Sequence, residues 1–327
     1  MAWLASSLVA TMSQPRKHHY LPQFYLRGFS ADKIHVFRVE KNSRKWICGN
    51  IKNLAAIRDF HIDDGEGSHD PQHIEKALAQ LESAHAQDLA DLLRDGITNL
   101  AALGEVVGLL SMLRMRVPAV KDYVQSSLTS QIKAKFRAMA KAGALPPPPE
   151  GFEQLLDPKN LQFEALNWKC LDIMFGMACS KTNISMLAGM RATLLFSPQG
   201  HPFITGDQPV SLFLPTNSPG ALCGVGPDHP SAVVSLPLSS GKLLILDNRD
   251  GPHEERMATP AEVQEFNRRT IVMAKHYLFC QEKPDSLRIP IRRAKGIFAG
   301  FIHSDDYDKF GFIQSHMNIA IGQQRKS

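Results

Sequence analysis

The sequence lacks the short motifs that mark several large classes of enzyme. It contains no GxxxxGK(S/T) loop, no GxGxxG after a predicted strand, no GxSxG turn and no HExxH pair. ATP-driven, Rossmann-type, α/β-hydrolase and zincin mechanisms therefore have no motif that supports them. A serine or cysteine nucleophile stays open, because its partners are neighbours in space and not in sequence.

Long apolar segments are absent as well. No uncharged apolar run reaches the ~18 residues needed to cross a bilayer, so we expect no membrane-spanning helix. Apolar residues still make up 43% of the chain and charged residues 21%, a balance typical of a chain that folds around a sizeable core. The formal net charge of +5 argues only weakly for a nucleic-acid partner.

Cysteine is sparse and shows no pairing pattern. The five cysteines are odd in number and form no CxxC pair, which argues against a disulfide framework and against a structural zinc site. We therefore expect free thiols in a reducing, cytoplasmic location. These cysteines are Cys48, Cys170, Cys179, Cys223 and Cys280.

The first ten residues form a short apolar stretch with no basic residue before it. An export signal begins with basic residues, whereas Arg16 and Lys17 follow this stretch. We predict that Met12 is an alternative start and that residues 1–15 are a disordered extension or a mis-assigned start. Export is the alternative interpretation. Residues 16–327 are then predicted to form one domain.

The first half of that domain is predicted to be mostly helical. Aromatic and apolar residues at three-to-four spacing favour a helix within 16–30, and period-two alternation predicts a β-hairpin over 33–48. Longer helices follow, and together they form a helical subdomain at about 70–181. A run of four prolines at 146–149 divides it. The predicted longer helices cover residues 70–95, 98–117, 119–141 and 158–181.

The second half changes character, because short apolar runs separated by Gly, Pro, Asn and Asp predict strands from 192 onwards. A helix over 260–275 and a strand over 277–280 complete the pattern. We predict an α+β fold. Its centre is a helical hairpin or bundle, and its antiparallel sheet comes mainly from the C-terminal half plus the N-terminal hairpin.

Charge is distributed unevenly over the helices. Residues 59–95 are rich in carboxylates, whereas residues 114–141 hold seven basic residues and one carboxylate, Asp122. The simplest interpretation is an antiparallel pair of helices held together by opposite charge. The alternative is that the basic helix 114–141 binds a nucleic acid.

Several segments resemble one family. Residues 18–29, HHYLPQFYLRGF, are similar to the opening signature of the DUF4238 proteins, and residues 203–210, FITGDQPV, are similar to a later turn motif. Residues 74–75 with 81–82 resemble a paired "IE" helix, and residues 113–118 resemble an arginine-containing helix. The resemblance runs from residue 16 to about 282.

The resemblance implies little about chemistry, because the DUF4238 proteins are a bacterial family of unknown function. Relatives among phage-defence genes imply a role in defence or toxicity. One position departs from the pattern, since Gly206 stands where the motif usually has serine. That departure removes no strong acid or base.

Six residues are candidates for a functional site. Asp207 lies in a predicted loop between two strands, where a rigid scaffold can hold a carboxylate in a cleft; the alternative is that it only hydrogen-bonds the backbone of a turn. Arg114 is expected to bind an anionic substrate group through its guanidinium. Either Arg114 or its neighbour Arg116 is also expected to pair with a carboxylate of the acidic helix. The predicted catalytic residues are His19, Glu82 and Asp207, and the predicted substrate-binding residues are Gln23, Arg27 and Arg114.

Two hypotheses follow from these residues. The first is an enzyme, a hydrolase or nuclease-like effector of phage defence or toxicity, in which carboxylates and a histidine hold Mg²⁺ or Mn²⁺ or act as acid and base. The second is a binding or sensing module without catalysis, in which the same motifs lock the N-terminal segment onto the sheet. Convergence of His19 and Asp207 in an open pocket favours the enzyme, whereas separate burial favours the module.

Overall fold

The computed structural model describes most of the chain. The predicted extension at 1–15 and the predicted start at Met12 lie outside the described residues. The described ranges are 17–41, 45–65, 70–152, 154, 161, 163–213 and 226–283, with the backbone of 301–302 and 318–319.

Helices dominate the middle of the chain, as the periodicity predicted. The proline run at 146–149 lies between α4 and α5 and is neither helix nor strand. The helices are α1 (Gln23–Leu26), α2 (His73–Asp95), α3 (Leu100–Met115), α4 (Pro118–Lys141), α5 (Asn167–Ala178), α6 (Lys181–Ala188) and α7 (Pro260–Met273).

Local sequence explains where these helices begin and end. Gly96 ends α2 with a φ of 72°, a conformation that costs glycine little. Asn99 caps α3 by accepting the N–H of Ala102. Pro118 occupies the first turn of α4, where its missing N–H is not needed. Thr259 starts α7 with a complete capping box.

Helix α3 forms the centre of the helical region. Ten of its sixteen residues are buried, and a helix that is apolar on all sides needs neighbours on all sides. It packs against α2, α5 and α6, while α4 packs against α5. The expected antiparallel pair of the acidic and basic helices is therefore wrong: α2 packs on the apolar α3, because burial of α3 outweighs attraction between solvated charges.

Thirteen strands are described, and they form two larger sheets and two short pairs. The strands are β1 (Lys17–His19), β2 (His35–Glu40), β3 (Trp46–Asn50), β4 (Ala56–Arg58), β5 (Arg191–Phe196), β6 (Thr205–Gly206), β7 (Ser211–Phe213), β8 (Val233–Ser239), β9 (Lys242–Asp247), β10 (Glu254–Met257), β11 (Tyr277–Cys280), β12 (Phe301–Ile302) and β13 (Asn318–Ile319).

The five-stranded sheet has the order β10-β5-β9-β8-β7. All its neighbours are antiparallel except β10 and β5, which are parallel. Strand β10 was not predicted, because three of its four residues are charged and none is buried. An edge strand of this kind gives no apolar alternation in the sequence.

The predicted N-terminal hairpin is present as β2 and β3. In the four-stranded sheet β3-β2-β11-β6, strand β2 pairs with β11 from the C-terminal half. An isolated two-stranded hairpin is only marginally stable in water, so pairing with β11 stabilises this one. The α+β prediction is confirmed.

The segment before α1 differs from the prediction. Residues 17–19 form β1, which pairs with β4, and only residues 23–26 are α-helical. The Tyr25 hydroxyl then donates to the carbonyl of Pro237 at 2.8 Å and lies 2.8 Å from Thr205 Oγ1. This segment is therefore fixed to both larger sheets. Among the described residues, no helix is long and apolar enough to cross a membrane.

Candidate functional site

One face of α2 carries a group of interacting polar side chains. Glu75 and Glu82 lie two turns apart on this face, and their side chains are 29% and 28% exposed to solvent. Residues from β1, from the loop after β4 and from the end of α3 approach them. Water can reach this group from the carboxylate side, while its interior is closed.

The closest pair in this group is His61 with Glu75. His61 is fully buried, and its Nδ1 lies 2.6 Å from Glu75 Oε2. Burial lowers the pKa of His61 to about 4, although the hydrogen bond to Glu75 opposes this. Burial raises the pKa of Glu75, but the hydrogen bond and nearby positive charge lower it by more. At neutral pH a neutral imidazole therefore donates its Nδ1–H to an ionised carboxylate.

This protonation leaves one nitrogen of His61 with a free lone pair. Its Nε2 is buried and has no hydrogen-bond partner among the described residues. An imidazole whose Nδ1–H is held by a carboxylate and whose Nε2 is free is the arrangement of a general base. Phe60 and Phe175 pack against the ring, which fixes its orientation.

His18 lies beside His61 and is also fully buried. The two rings are nearly parallel, with centroids 5.6 Å apart. His18 Nδ1 accepts the backbone N–H of His61 at 2.8 Å, so the hydrogen of a neutral His18 ring is on Nε2. That Nε2 has no partner among the described residues, which leaves a buried donor next to the buried acceptor of His61.

Arg116 connects this pair to the rest of the face. It is 2% exposed, and it donates Nη1–H to Glu82 Oε1 at 2.8 Å and Nη2–H to the carbonyl of His19 at 2.6 Å. The expected pairing of an arginine with the acidic helix is confirmed. Its positive charge also lowers the pKa of both His61 and Glu75.

His19 lies at the edge of the same group. Its Nε2 is 3.2 Å from the carbonyl of Lys52, and burial lowers its pKa, while Glu82 and Glu75 oppose that change. The predicted residues His19 and Glu82 are therefore brought to one place, joined through Arg116. Asp207 makes no hydrogen bond with any of them.

The carboxylate of Asp207 instead hydrogen-bonds the backbone that follows α7. Its carboxylate is 3% exposed and accepts three N–H groups, from Lys275 at 2.7 Å, His276 at 2.6 Å and Tyr277 at 3.0 Å. Burial raises the pKa of Asp207, and these hydrogen bonds oppose the change. The geometry is that of the alternative interpretation, a carboxylate that fixes a turn. A catalytic role for Asp207 stays a prediction.

Among the described residues, none of the predicted substrate-binding side chains hydrogen-bonds a member of this polar group. Arg27 is exposed and Gln23 is half-buried, and neither side chain hydrogen-bonds a described residue. Arg114 is half-buried, and burial alone lowers its pKa; it has no ion pair among the described residues. Binding of an anion by Arg114 stays a prediction.

A metal ion is one possible occupant of the cluster. His18, His61 and Glu75 offer ligand atoms within 4.8 Å of one another. Two imidazoles suit Zn²⁺ or Fe²⁺ better than the predicted Mg²⁺ or Mn²⁺, which prefer oxygen. The free nitrogen of His18 carries hydrogen, however, and the charge of Arg116 repels a cation. These residues fit an acid–base pair better than a metal centre.

A second group with metal-ligand spacing lies further along α2. His85, Asp88 and Glu105 also offer ligand atoms within 4.8 Å, but Glu105 is exposed. Nδ1 of His85 lies 3.8 Å from Asp88 Oδ2, so the two do not form a close hydrogen bond. Burial lowers the pKa of His85, and its Nδ1 is buried without a partner among the described residues, but Glu105 leaves the group open to water on one side.

Sequence reasoning missed His61 and chose His19 over His18. The reason is the local conformation: alternate residues of a strand point to opposite sides, so β1 directs His18 inward and His19 towards the edge. A helix was predicted there, and a helix gives no such alternation. For His61, no spacing in the sequence connects it with Glu75.

The chain belongs to DUF4238, a family of proteins of unknown function, whose model matches residues 17–284. Comparisons with curated proteins and with solved structures give no match. The family therefore supplies no reaction, and the function has to be argued from the site.

Proposed function

We propose that this protein is a hydrolase of phosphodiesters, a nuclease-like effector of phage defence or toxicity, and that His61 and Glu75 are its acid–base pair. The observation that carries the proposal is the free Nε2 of an imidazole whose Nδ1–H is held by Glu75 at 2.6 Å. In hydrolysis His61 would take a proton from water at Nε2 as the water oxygen attacks phosphorus. The bond from phosphorus to the leaving oxygen would break, and that oxygen would then take a proton from the His61 imidazolium or from water. Glu75 would stabilise the imidazolium that forms.

The burial of His61 sets a condition on this chemistry. A base with a pKa of about 4 is weak at neutral pH, and its Nε2 is out of reach of a substrate. Opening of the loop after β4 would expose the ring to water and return its pKa towards ~6.5, close to the best value for a base at neutral pH. Glu75, which is already 29% exposed, lies on the side from which the substrate would approach.

The phosphodiester part of the proposal depends on positive charge. Helix α4 carries five basic residues and one carboxylate, Asp122. Such a helix attracts a polyanion without regard to its sequence. Arg114 is the side chain that we would expect to contact phosphate, because its guanidinium has no ion pair among the described residues.

The test compares purified wild-type protein with Glu75→Gln and with the matched control Asp91→Asn, on labelled single-stranded DNA, double-stranded DNA and RNA. Asp91 is on the same helix, and its partner Arg94 is 64% exposed. We expect cleavage of at least one substrate, a loss of 100-fold or more in Glu75→Gln with its melting temperature within a few degrees, and a rate within two-fold in the control. Equal rates in Glu75→Gln and wild type, or no cleavage of any substrate, would contradict the proposal.

A non-catalytic binding module is the second candidate, and the complete burial of His18 and His61 favours it. It is also favoured by Asp207, whose carboxylate accepts backbone N–H groups after α7 and makes no hydrogen bond to His19. In that case the cluster only holds β1 and the loop after β4 on α2, and α4 binds the partner. Binding of labelled nucleic acid that weakens in Lys135→Glu, without cleavage by any variant, would support the module and exclude the hydrolase.

A further inference from the structure

A second feature of the helical region is a cavity of about 360 Å³ between α2, α3 and α5. Helices α2 and α5 both pack on α3, and the cavity lies in the space between them. Its volume falls in the range of small-molecule sites, which often lie between helices. The cavity adjoins the proposed acid–base pair, because Phe175 lines it and also packs on the His61 ring, with centroids 6.0 Å apart.

The cavity extends in one direction along α2. At one end the loop after β4 meets the starts of α2 and α5, because Asp64 accepts the N–H of Trp168 at 2.8 Å and Asp63 Oδ2 lies 3.5 Å from Nδ1 of His73. From His73 the lining residues of α2 continue to Leu81, a distance of about 12 Å along the helix axis. The cavity therefore has a loop end and an opposite end at Leu81.

The wall between these ends is apolar. Leu81 is 42% exposed although it is large and apolar. Apolar surface of this kind gains free energy when a ligand removes it from water. The apolar side chains that the argument uses are Ile74, Ala77, Leu78, Leu81, Met112 and Leu171.

The charged side chains of the cavity are negative and belong to the loop end. Asp63 and Asp172 line the cavity, and no lysine or arginine of the described residues does. Asp172 is exposed, lies in the second turn of α5 and has no ion pair with a described residue. Asp63 is 17% exposed, and its Oδ1 accepts the N–H of Gly65 at 2.9 Å, which holds the carboxylate in place.

The histidine at this end is oriented by another group. His73 donates its Nδ1–H to the carbonyl of Asp70 at 3.0 Å, a shorter contact than the one with Asp63. A cleft lined by charges of one sign concentrates ligands of the opposite sign. The loop end therefore attracts a cation and repels an anion.

We propose that this cavity binds an organic cation, a protonated amine that carries an apolar chain. The ammonium group lies at the loop end, where the carboxylates of Asp63 and Asp172 balance its charge. The chain extends along the apolar wall towards Leu81, and the length of about 12 Å fits an extended chain of about eight carbons. The proposal goes beyond phosphodiester cleavage and does not depend on it, because binding is measured without a reaction.

The structure provides matched variants for a test. Asp172→Asn removes one charge of the cavity and keeps the size of the side chain, and Asp91→Asn on α2, outside the cavity, is its control. Ala77 and Ala79 are both exposed on α2, but only Ala77 lines the cavity, so Ala77→Phe fills it and Ala79→Phe is the control. Gly176→Leu is a second filling variant, because a Cβ placed there meets no atom within 4 Å.

The experiment is calorimetric titration of the full chain with octylammonium, 1-octanol and octanoate. These probes share one chain and differ in charge, and at about pH 8 an alkylamine is protonated. We expect one octylammonium per chain, at least ten-fold tighter than 1-octanol, and octanoate weakest of the three. Methylammonium, which has the charge without the chain, should bind at least 100-fold more weakly than octylammonium.

The variants separate the contribution of charge from that of the apolar wall. Asp172→Asn should lower the affinity for octylammonium three- to ten-fold and change that for 1-octanol by no more than two-fold. Ala77→Phe and Gly176→Leu should lower both affinities ten-fold or more. Asp91→Asn and Ala79→Phe should stay within two-fold of wild type. Melting curves establish that each variant is folded.

Several outcomes would overturn the proposal. These are no saturable binding of octylammonium, binding of 1-octanol or octanoate that is as tight, unchanged affinity for octylammonium in Asp172→Asn or in both filling variants, and an equal loss in the controls. Binding of octylammonium by a protein that cleaves no nucleic acid would contradict only the hydrolase, and cleavage without such binding would contradict only this proposal.

Discussion

The pair of Arg116 with Glu82 makes a quantitative prediction about stability. The guanidinium is 2% exposed, and one of its two hydrogen-bond partners is the Glu82 carboxylate at 2.8 Å. Glu82→Ala would leave a buried positive charge with only the carbonyl of His19 as a partner. Arg116→Met would instead remove the charge and keep most of the buried volume.

The two substitutions should therefore have unequal costs. Breaking a buried ion pair from one side costs about 3–5 kcal/mol. Because Glu82 is 28% exposed, water can partly solvate the remaining arginine, so we expect Glu82→Ala to lower the free energy of unfolding by about 2–3 kcal/mol. Arg116→Met leaves a carboxylate that water already reaches, and we expect a loss of about 1–2 kcal/mol.

Urea denaturation of the two single variants and of the double variant measures these costs and the coupling between them. The control is Asp91→Ala, which breaks an ion pair on the same helix with Arg94. Since that arginine is 64% exposed, the control should lose no more than about 1 kcal/mol.

A specific result would refute this reasoning. If Glu82→Ala costs no more than Asp91→Ala, Arg116 is not a buried charge that depends on Glu82. If Arg116→Met costs clearly more than Glu82→Ala, the side chain acts through packing and not through its charge.

Three further predictions concern other parts of the fold. The pKa of His61 is about 6.5 in the unfolded chain and about 4 in the folded chain. The contribution of the neutral ring to the free energy of unfolding is therefore full above pH 6.5 and falls by up to about 3 kcal/mol towards pH 4. Denaturation curves of His61→Phe should lose this part of the pH dependence. Asp207→Ala should lower the free energy of unfolding by about 2–4 kcal/mol, because it leaves the N–H groups of Lys275, His276 and Tyr277 without their acceptor. A melting temperature equal to that of wild type would instead support a chemical role. Gly28→Ala should cost about 1–3 kcal/mol, since its Cβ would lie 2.7 Å from a backbone oxygen of β8, and an unchanged melting temperature would contradict that contact.

The elements with strong local signals could be predicted from sequence. Three such signals are the capping box at Thr259, the proline at the start of α4 and the period-two alternation of β2. Each depends on interactions within a few residues of chain, so the local sequence is enough to predict the element. The apolar periodicity of α2 belongs to the same class. Strand β10 and the short β1 gave no such signal, because pairing with a distant strand determines them and their own propensity does not.

The candidate site was only partly predictable for the same reason. Because a buried guanidinium is costly without a partner, the sequence predicted that Arg114 or Arg116 would pair with the acidic helix. Only the structure shows that the pair is formed by Arg116. The sequence could not determine that His61 hydrogen-bonds Glu75, or that the Asp207 carboxylate hydrogen-bonds the backbone after α7. Those contacts join segments 14 and about 70 residues apart, and only the packing of β1, α2 and α7 in the tertiary structure brings them within hydrogen-bond distance.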